Sequence, residues 1–127
     1  MKEKLEKLLS NSKSSYYNYP VSAILECKDN KLFNGVNIET SSPQSGICAE
    51  RCAIYSAIAN GYNKDDFKAI HLMAKSGKKI TPCFVCRQTL IDYCNEDLKI
   101  ISYYDGKTEE FTVGDLCVYT FSDKDLK

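Results

Sequence analysis

Apolar residues fall along this chain in two different spacings. Leu5, Leu8 and Leu9 recur at three- and four-residue intervals between lysines and glutamates. That spacing predicts an amphipathic helix from Lys2 to about Asn11. Ser10 to Ser15 reads as a polar connector. Tyr19 to Cys27 and Lys31 to Glu39 read as two strands, joined as a hairpin through the short turn Lys28-Asp29-Asn30. In the second strand Val36 and Ile38 face one side, with Asn37 and Glu39 on the other. An amide and a carboxylate opposite an apolar face suit either a solvated surface or a ligand contact.

The rest of the chain continues the alternation. Thr40 to Gly46 is a loop containing Pro43. Cys48 to Asn60 has helical spacing, with Ala49, Cys52, Ala53, Ser56, Ala57 and Asn60 small enough for close packing and Asn60-Gly61 as a stop. Phe67 to Ala74 is strand-like, and Ser76 to Lys79 turns after it. Pro82 opens a second helix over Cys83 to Cys94. Leu98 to Tyr103 and Thr108 to Val113 are strands around the turn at Asp105-Gly106, and Gly114 to Lys127 is a tail carrying Leu116, Tyr119 and Phe121. The sum is a single α/β domain spanning residues 1–127, with helices packed on a sheet of about five strands. His71, the only histidine, falls mid-strand and is expected to be structural.

Charge narrows the classes of partner. The formal net charge is zero, so nothing draws the chain towards nucleic acid or an anionic membrane. The N-terminal stretch has no apolar core of a signal peptide, and no run reaches the length of a membrane span. Seven cysteines in such a chain point to a reducing, cytoplasmic setting, and the odd number excludes complete pairing within it.

Two short segments carry the candidate chemistry: Cys48-Ala49-Glu50-Arg51 and Pro82-Cys83-Phe84-Val85-Cys86-Arg87-Gln88. Cys83 and Cys86 can both reach one ion from the first turn of a helix. Alone, they could equally be a redox pair or half of a structural zinc knuckle. Cys48 with Glu50 adds what neither alternative needs, a distant third thiol and an adjacent carboxylate. Three thiolates leave one coordination position for water on a tetrahedral zinc, and Glu50 is placed to handle that water's protons. A rival set uses Cys52, one helical turn from Cys48, to close a structural four-cysteine site. A residue one turn into the helix would more naturally face the core. Of the 17 basic side chains only Arg51 and Arg87 are arginine, and both lie inside the motifs. A planar fork is thus demanded at these two places, and Arg51 can donate to a thiolate.

With these residues in view, the chain resembles the small homotetrameric cytidine deaminases. Tyr16-Tyr17-Asn18-Tyr19-Pro20-Val21-Ser22-Ala23 is similar to that family's Tyr-Ser-x-Phe-x-Val-Gly-Ala segment. Phe33 to Glu39 resembles its Gly-x-Asn-Val-Glu strand, the two cysteine segments match directly, and Asp115 to Phe121 resembles its Leu-Leu-Pro-x-x-Phe tail. The resemblance implies a three-layer α/β/α fold with a five-stranded mixed sheet and active sites shared between four subunits. It implies one Zn2+ per chain on Cys48, Cys83 and Cys86, with Glu50 as the proton shuttle. It also implies a nucleoside substrate, with Asn37 and Glu39 on a ribose hydroxyl and the Ala49 N–H on the pyrimidine carbonyl. Tyr19 would then pack near the base, and Phe121 would reach a neighbour's base. Departures from the family are Ser22 for glycine, Thr40 for asparagine, Pro43 for tyrosine, Phe84 for glycine and Val118 for proline. Those at Pro43 and Phe84 bear on substrate range and would allow another aminated pyrimidine or a nucleoside antibiotic.

Overall fold

The computed structural model describes every residue from Met1 to Lys127. In chain order its elements are α1 (Lys2–Leu9), β1 (Val21–Cys27), β2 (Leu32–Val36), α2 (Ala49–Ala59), β3 (Phe67–Ala74), α3 (Phe84–Tyr93), β4 (Lys99–Tyr104), β5 (Lys107–Thr112) and the single turn α4 (Val113–Leu116). The sheet runs β2-β1-β3-β4-β5. Only β3 and β4 pair in parallel, and α3 lies in the crossover between them. The other three pairings are antiparallel. The expected five-stranded mixed sheet with helices on both faces is the observed architecture.

Alternation along the strands sorts the layers. Ala23, Leu25 and Cys27 of β1, Ile70 and Leu72 of β3 and Ile100 of β4 form the main core with Ala53, Ile54 and Ala57 of α2 and Leu90 of α3. Residues of opposite parity, Ile24 and Met73, pack under α1 with Leu5. His71 shares that second face. Its Nε2 lies 3.0 Å from Glu26 Oε1 and its Nδ1 2.8 Å from the Tyr103 hydroxyl. The histidine is therefore a satisfied buried polar residue, as expected, remote from the thiols.

Several element ends differ from the sequence reading. The second strand stops at Val36, so Asn37 and Glu39 lie beyond it and not on a strand face. Ile38, between them, forms isolated bridges to Lys13 on one side and Ile47 on the other. The first helix ends at Leu9, not Asn11, because Asn11 and Ser12 turn back on the carbonyls of Leu8 and Leu9. The buried stripe of α2 is Ala49, Ala53 and Ala57 with Glu50 and Ile54, and Cys52, Ser56 and Asn60 fall outside it. The tail is more ordered than expected. Thr112 caps α4 in a reciprocal bond with Asp115, and Ser122 caps a short 3-10 turn over Asp123–Asp125.

One close approach positions the site. The main chain of α2 passes directly over Gly35 of β2. A Cβ at residue 35 would sit 2.2 Å from the Ala49 carbonyl oxygen and 2.6 Å from the Ala53 nitrogen. Those atoms are backbone and cannot swing aside. Glycine here lets the first turn of α2 rest on the sheet, which fixes where Cys48 and Glu50 point. Gly35→Ala should therefore lower stability by about 1–3 kcal/mol, the usual range for overpacking. A urea unfolding curve checks this, with a parental midpoint as the contrary result.

Candidate active site and metal centre

Cys48 and Cys83 are the N-cap residues of α2 and α3, and neither helix has a side-chain cap. Each helix therefore starts with free main-chain N–H groups and the positive end of its dipole at a thiol. Cys86 lies in the first turn of α3 and is buried, and Cys83 is exposed. The three Sγ atoms lie within 4.8 Å of one another, and those of Cys48 and Cys83 are 3.7 Å apart. Two thiolates on a tetrahedral zinc at about 2.3 Å each have sulfurs about 3.8 Å apart. The cluster thus fits zinc in size, donor softness and number, with a fourth position left for water. Cys52 is half-buried and not part of the cluster, so the closed four-cysteine set does not form. Nor does it face the core as its position in the helix suggested.

The charges around these sulfurs agree with metal binding. The Arg51 Nη2 donates to Cys48 Sγ at 3.6 Å. A hydrogen bond from the Cys86 thiol, followed by those from Arg51 and Cys83, pulls Cys48 down to about 5, against the opposing effect of burial. Cys86 moves the other way, because its thiol hydrogen-bonds Cys48 and is buried. By contrast, burial pushes Cys27 up to about 11 and Cys94 up to about 12, which makes them inert structural thiols.

Glu50 is 5% exposed and forms no ion pair. Burial pushes its carboxyl up to about 7, and the neighbouring Cys48 thiolate adds to the shift. A carboxyl in that range can both take and return a proton near neutral pH. It opens, with Ala49, Cys48 and Cys83, onto a cleft of about 520 Å³. Tyr19, Asn37 and Glu39 line the facing wall. Seven residues singled out in the sequence thus meet around one cavity, with Cys86 in the thiol cluster beside it and Arg51 hydrogen-bonded to Cys48.

Asn37 and Glu39 are held by the N-terminal connector. Asn37 Oδ1 accepts from the Ser12 hydroxyl and from the Val21 N–H at 2.9 Å, and Nδ2 donates to the Tyr19 carbonyl at 2.9 Å. Glu39 Oε1 accepts from the Tyr16 and Tyr17 N–H groups at 2.9 and 3.1 Å, and Oε2 accepts from the Ser14 hydroxyl at 2.6 Å. These bonds hold its carboxyl below the usual carboxylate range, the Ser14 bond contributing most.

Phe121 is not in its own chain's cleft. It is 58% exposed, and its carbonyl accepts from Gln88 Nε2 at 2.8 Å. Arg87 does not reach the thiols either. Its fork donates to the carbonyls of Pro82 and Leu116, both at 2.8 Å, and to the Thr81 hydroxyl at 3.2 Å, and its face stacks on Phe84. Phe84 stands outside the cleft, and Pro43 lines an adjoining hollow of about 400 Å³. Sequence reasoning did not single out Tyr17, Val21, Ile80 and Thr81, which also line the cleft. Thr81 directly precedes the Pro82 motif and could have been found from that position; Ile80 and Val21 read only as ordinary apolar residues.

A three-thiol centre with an open position, beside a buried carboxyl at the floor of a small-molecule cleft, defines a zinc hydrolase of the deaminase class. Comparison with known proteins gives the same class. The model of the cytidine and deoxycytidylate deaminase zinc-binding region matches residues 1–102. Cytidine deaminase of Sporosarcina psychrophila is 34% identical over 130 residues, covering 96% of this chain and 94% of that protein. The solved structure of cytidine deaminase from Burkholderia pseudomallei superposes with a TM-score of 0.87 at 32% identity, covering 94% of each chain. Blasticidin-S deaminase of Bacillus cereus is a weaker match, 28% identical and covering 90% of this chain and 81% of its own. The chain belongs to the cytidine deaminase family, whose members are zinc-dependent hydrolytic deaminases.

The donor set makes a direct prediction about metal. Purified protein should carry one zinc per chain, and Cys83→Ala should lose it. Cys52→Ser should retain a full complement. Metal analysis by atomic emission decides, and a Cys52→Ser protein that has lost its zinc would contradict the three-cysteine centre.

Proposed function

We propose that the protein deaminates cytidine and deoxycytidine to uridine and deoxyuridine with release of ammonia, in pyrimidine salvage in the cytoplasm. The observation that carries this reading is the buried Glu50 carboxyl beside the three thiols, across one cleft from Asn37 and Glu39. Cys48, Cys83 and Cys86 would hold the zinc, whose chemistry when bound would be to activate a water as the nucleophile for C4 of the base. Glu50 takes the proton from that water, passes it to N3 of the ring and assists the departure of ammonia. Ala49, at the start of α2, offers its N–H to the pyrimidine carbonyl. Arg51 draws charge from Cys48, which offsets the donation of three thiolates.

Hydrogen-bond capacity supports a sugar hydroxyl as the second anchor. Asn37 has one N–H left, and Glu39 has one lone pair left on Oε2. One donor beside one acceptor is what a single hydroxyl requires. A phosphate is poorly served. No lysine lines the cleft, Arg51 faces Cys48, and Arg87 is engaged by main-chain carbonyls. The carboxylate of Glu39 would repel a phosphate as well, so the free nucleoside is the substrate.

The tail supports an assembly of several chains. Phe121, Val118 and Phe84 leave large apolar side chains exposed at 58%, 67% and 80%. A homotetramer would cover it and bring Phe121 over the base bound mainly by a neighbour, where stacking is worth about 1–3 kcal/mol.

Glu50→Ala should keep its zinc and lose roughly 10²–10⁴-fold in kcat, since the proton carrier is removed and the thiols stay. Loss of absorbance as cytidine is consumed measures it, and a near-parental rate would refute the mechanism. Mixing inactive Glu50→Ala with Phe121→Ala under subunit exchange should restore part of the activity, because some mixed assemblies hold a pocket with both residues intact. An active protein that elutes as a monomer would end the shared-site reading.

A further inference from the structure

We propose that Ser14 is a positioning residue for substrate binding, holding the Glu39 carboxylate and the Tyr19 main chain together at the cleft. The proposal rests on the assignment of Glu39 to the sugar.

The arrangement follows from register. Lys13 bridges Ile38: its N–H donates to the Asn37 carbonyl at 3.0 Å, and its carbonyl accepts from the Glu39 N–H at 2.7 Å. Paired extended segments present every second residue to the same side. The residues flanking Lys13, Ser12 and Ser14, therefore meet the residues flanking Ile38, Asn37 and Glu39. Ser12 bonds the Asn37 amide and Ser14 the Glu39 carboxylate.

Ser14 does more than its counterpart. A hydroxyl carries one hydrogen, and that of Ser14 goes to Glu39 Oε2 at 2.6 Å. Its oxygen accepts from the Tyr19 N–H at 2.8 Å. The connector folds tightly enough for this because the Asn18 N–H donates to the Ser14 carbonyl at 2.9 Å and Asn18 takes φ +51°, a left-handed conformation asparagine tolerates. Both Oε1 positions on Glu39 are filled by the N–H groups of Tyr16 and Tyr17. Those two bonds anchor Oε1 and leave Oε2 without a partner from the connector's main chain. The Ser14 bond holds Oε2 and leaves it with one lone pair. The same hydroxyl thus sets two cleft-lining residues, one on the sugar and one beside the base.

The test uses zinc-loaded protein with cytidine as substrate. Ser14→Ala should raise KM about five- to tenfold, with kcat within twofold of the parent and zinc content unchanged. Ser14→Thr, which keeps the hydroxyl, should return KM towards the parental value. Glu39→Ala should raise KM, and adding Ser14→Ala to it should raise KM by less than twofold more. If Ser14→Ala does not fold, Ser14→Cys, a weaker donor of similar size, should show the same rise in smaller measure. A parental KM in the serine variant overturns the proposal, as does a double variant whose effects multiply. So does a fall in kcat and zinc together, which marks a merely structural role. If Glu39→Ala itself leaves KM unchanged, the sugar assignment falls and takes this proposal with it; if Glu39→Ala raises KM and the serine variants do not, only this proposal falls.

Discussion

Bringing three sulfur ligands to one point is the constraint on which the rest of this molecule depends. Thiolates within 4.8 Å of one another repel, and without compensation they would protonate or part. The chain supplies compensation from two directions. Cys48 and Cys83 stand at uncapped helix N-termini, where main-chain N–H groups point outward, and one of the only two arginines donates to Cys48. A zinc ion held by the three sulfurs would complete the balance. The close contact of α2 with Gly35 and the position of α3 between β3 and β4 place those two helix starts side by side.

The same packing prepares Glu50. Its helix lies close on the sheet and the carboxyl is buried, and burial lifts its proton affinity towards neutrality. The carboxylate of Glu39, only eleven positions earlier, is treated in the opposite way. It sits at the open side of the cleft, accepts three hydrogen bonds and stays ionised. Two glutamates at one cavity are thus driven in opposite directions by environment alone, one towards a neutral carboxyl and one towards a fixed charge.

The two arginines divide in a similar manner. Arg51 serves the sulfurs, while Arg87 binds the loop before α3 to the tail through Pro82 and Leu116, with Gln88 holding the carbonyl of Phe121. The two residues following Cys86 therefore connect the thiol cluster to the chain end. This gives a physical reason for a guanidinium at position 87: three oxygens in different directions suit a planar fork and not a single ammonium.

Much of this was legible in the linear order of residues. Period-two and period-3.6 spacing located every strand and the three principal helices, because those patterns reflect which face meets the core. The cysteines, Glu50 and Arg51 declared themselves through residue types that ordinary packing does not require in such proximity. What the sequence could not state was where the second strand ends, or what lies against it. Asn37 and Glu39 were placed on a strand face, yet they lie past Val36 in a segment paired with Lys13, and that pairing depends on a connector that reads only as polar. Cys52 was expected to face the core and does not, since the rotation of α2 is set by Gly35 and the alanine stripe. Ser12 and Ser14 carry no local signal at all. Their roles arise from contacts 25 residues away in sequence. Local chemistry is written in neighbouring residues, but the partner of a hydroxyl is decided only when distant segments are brought into register.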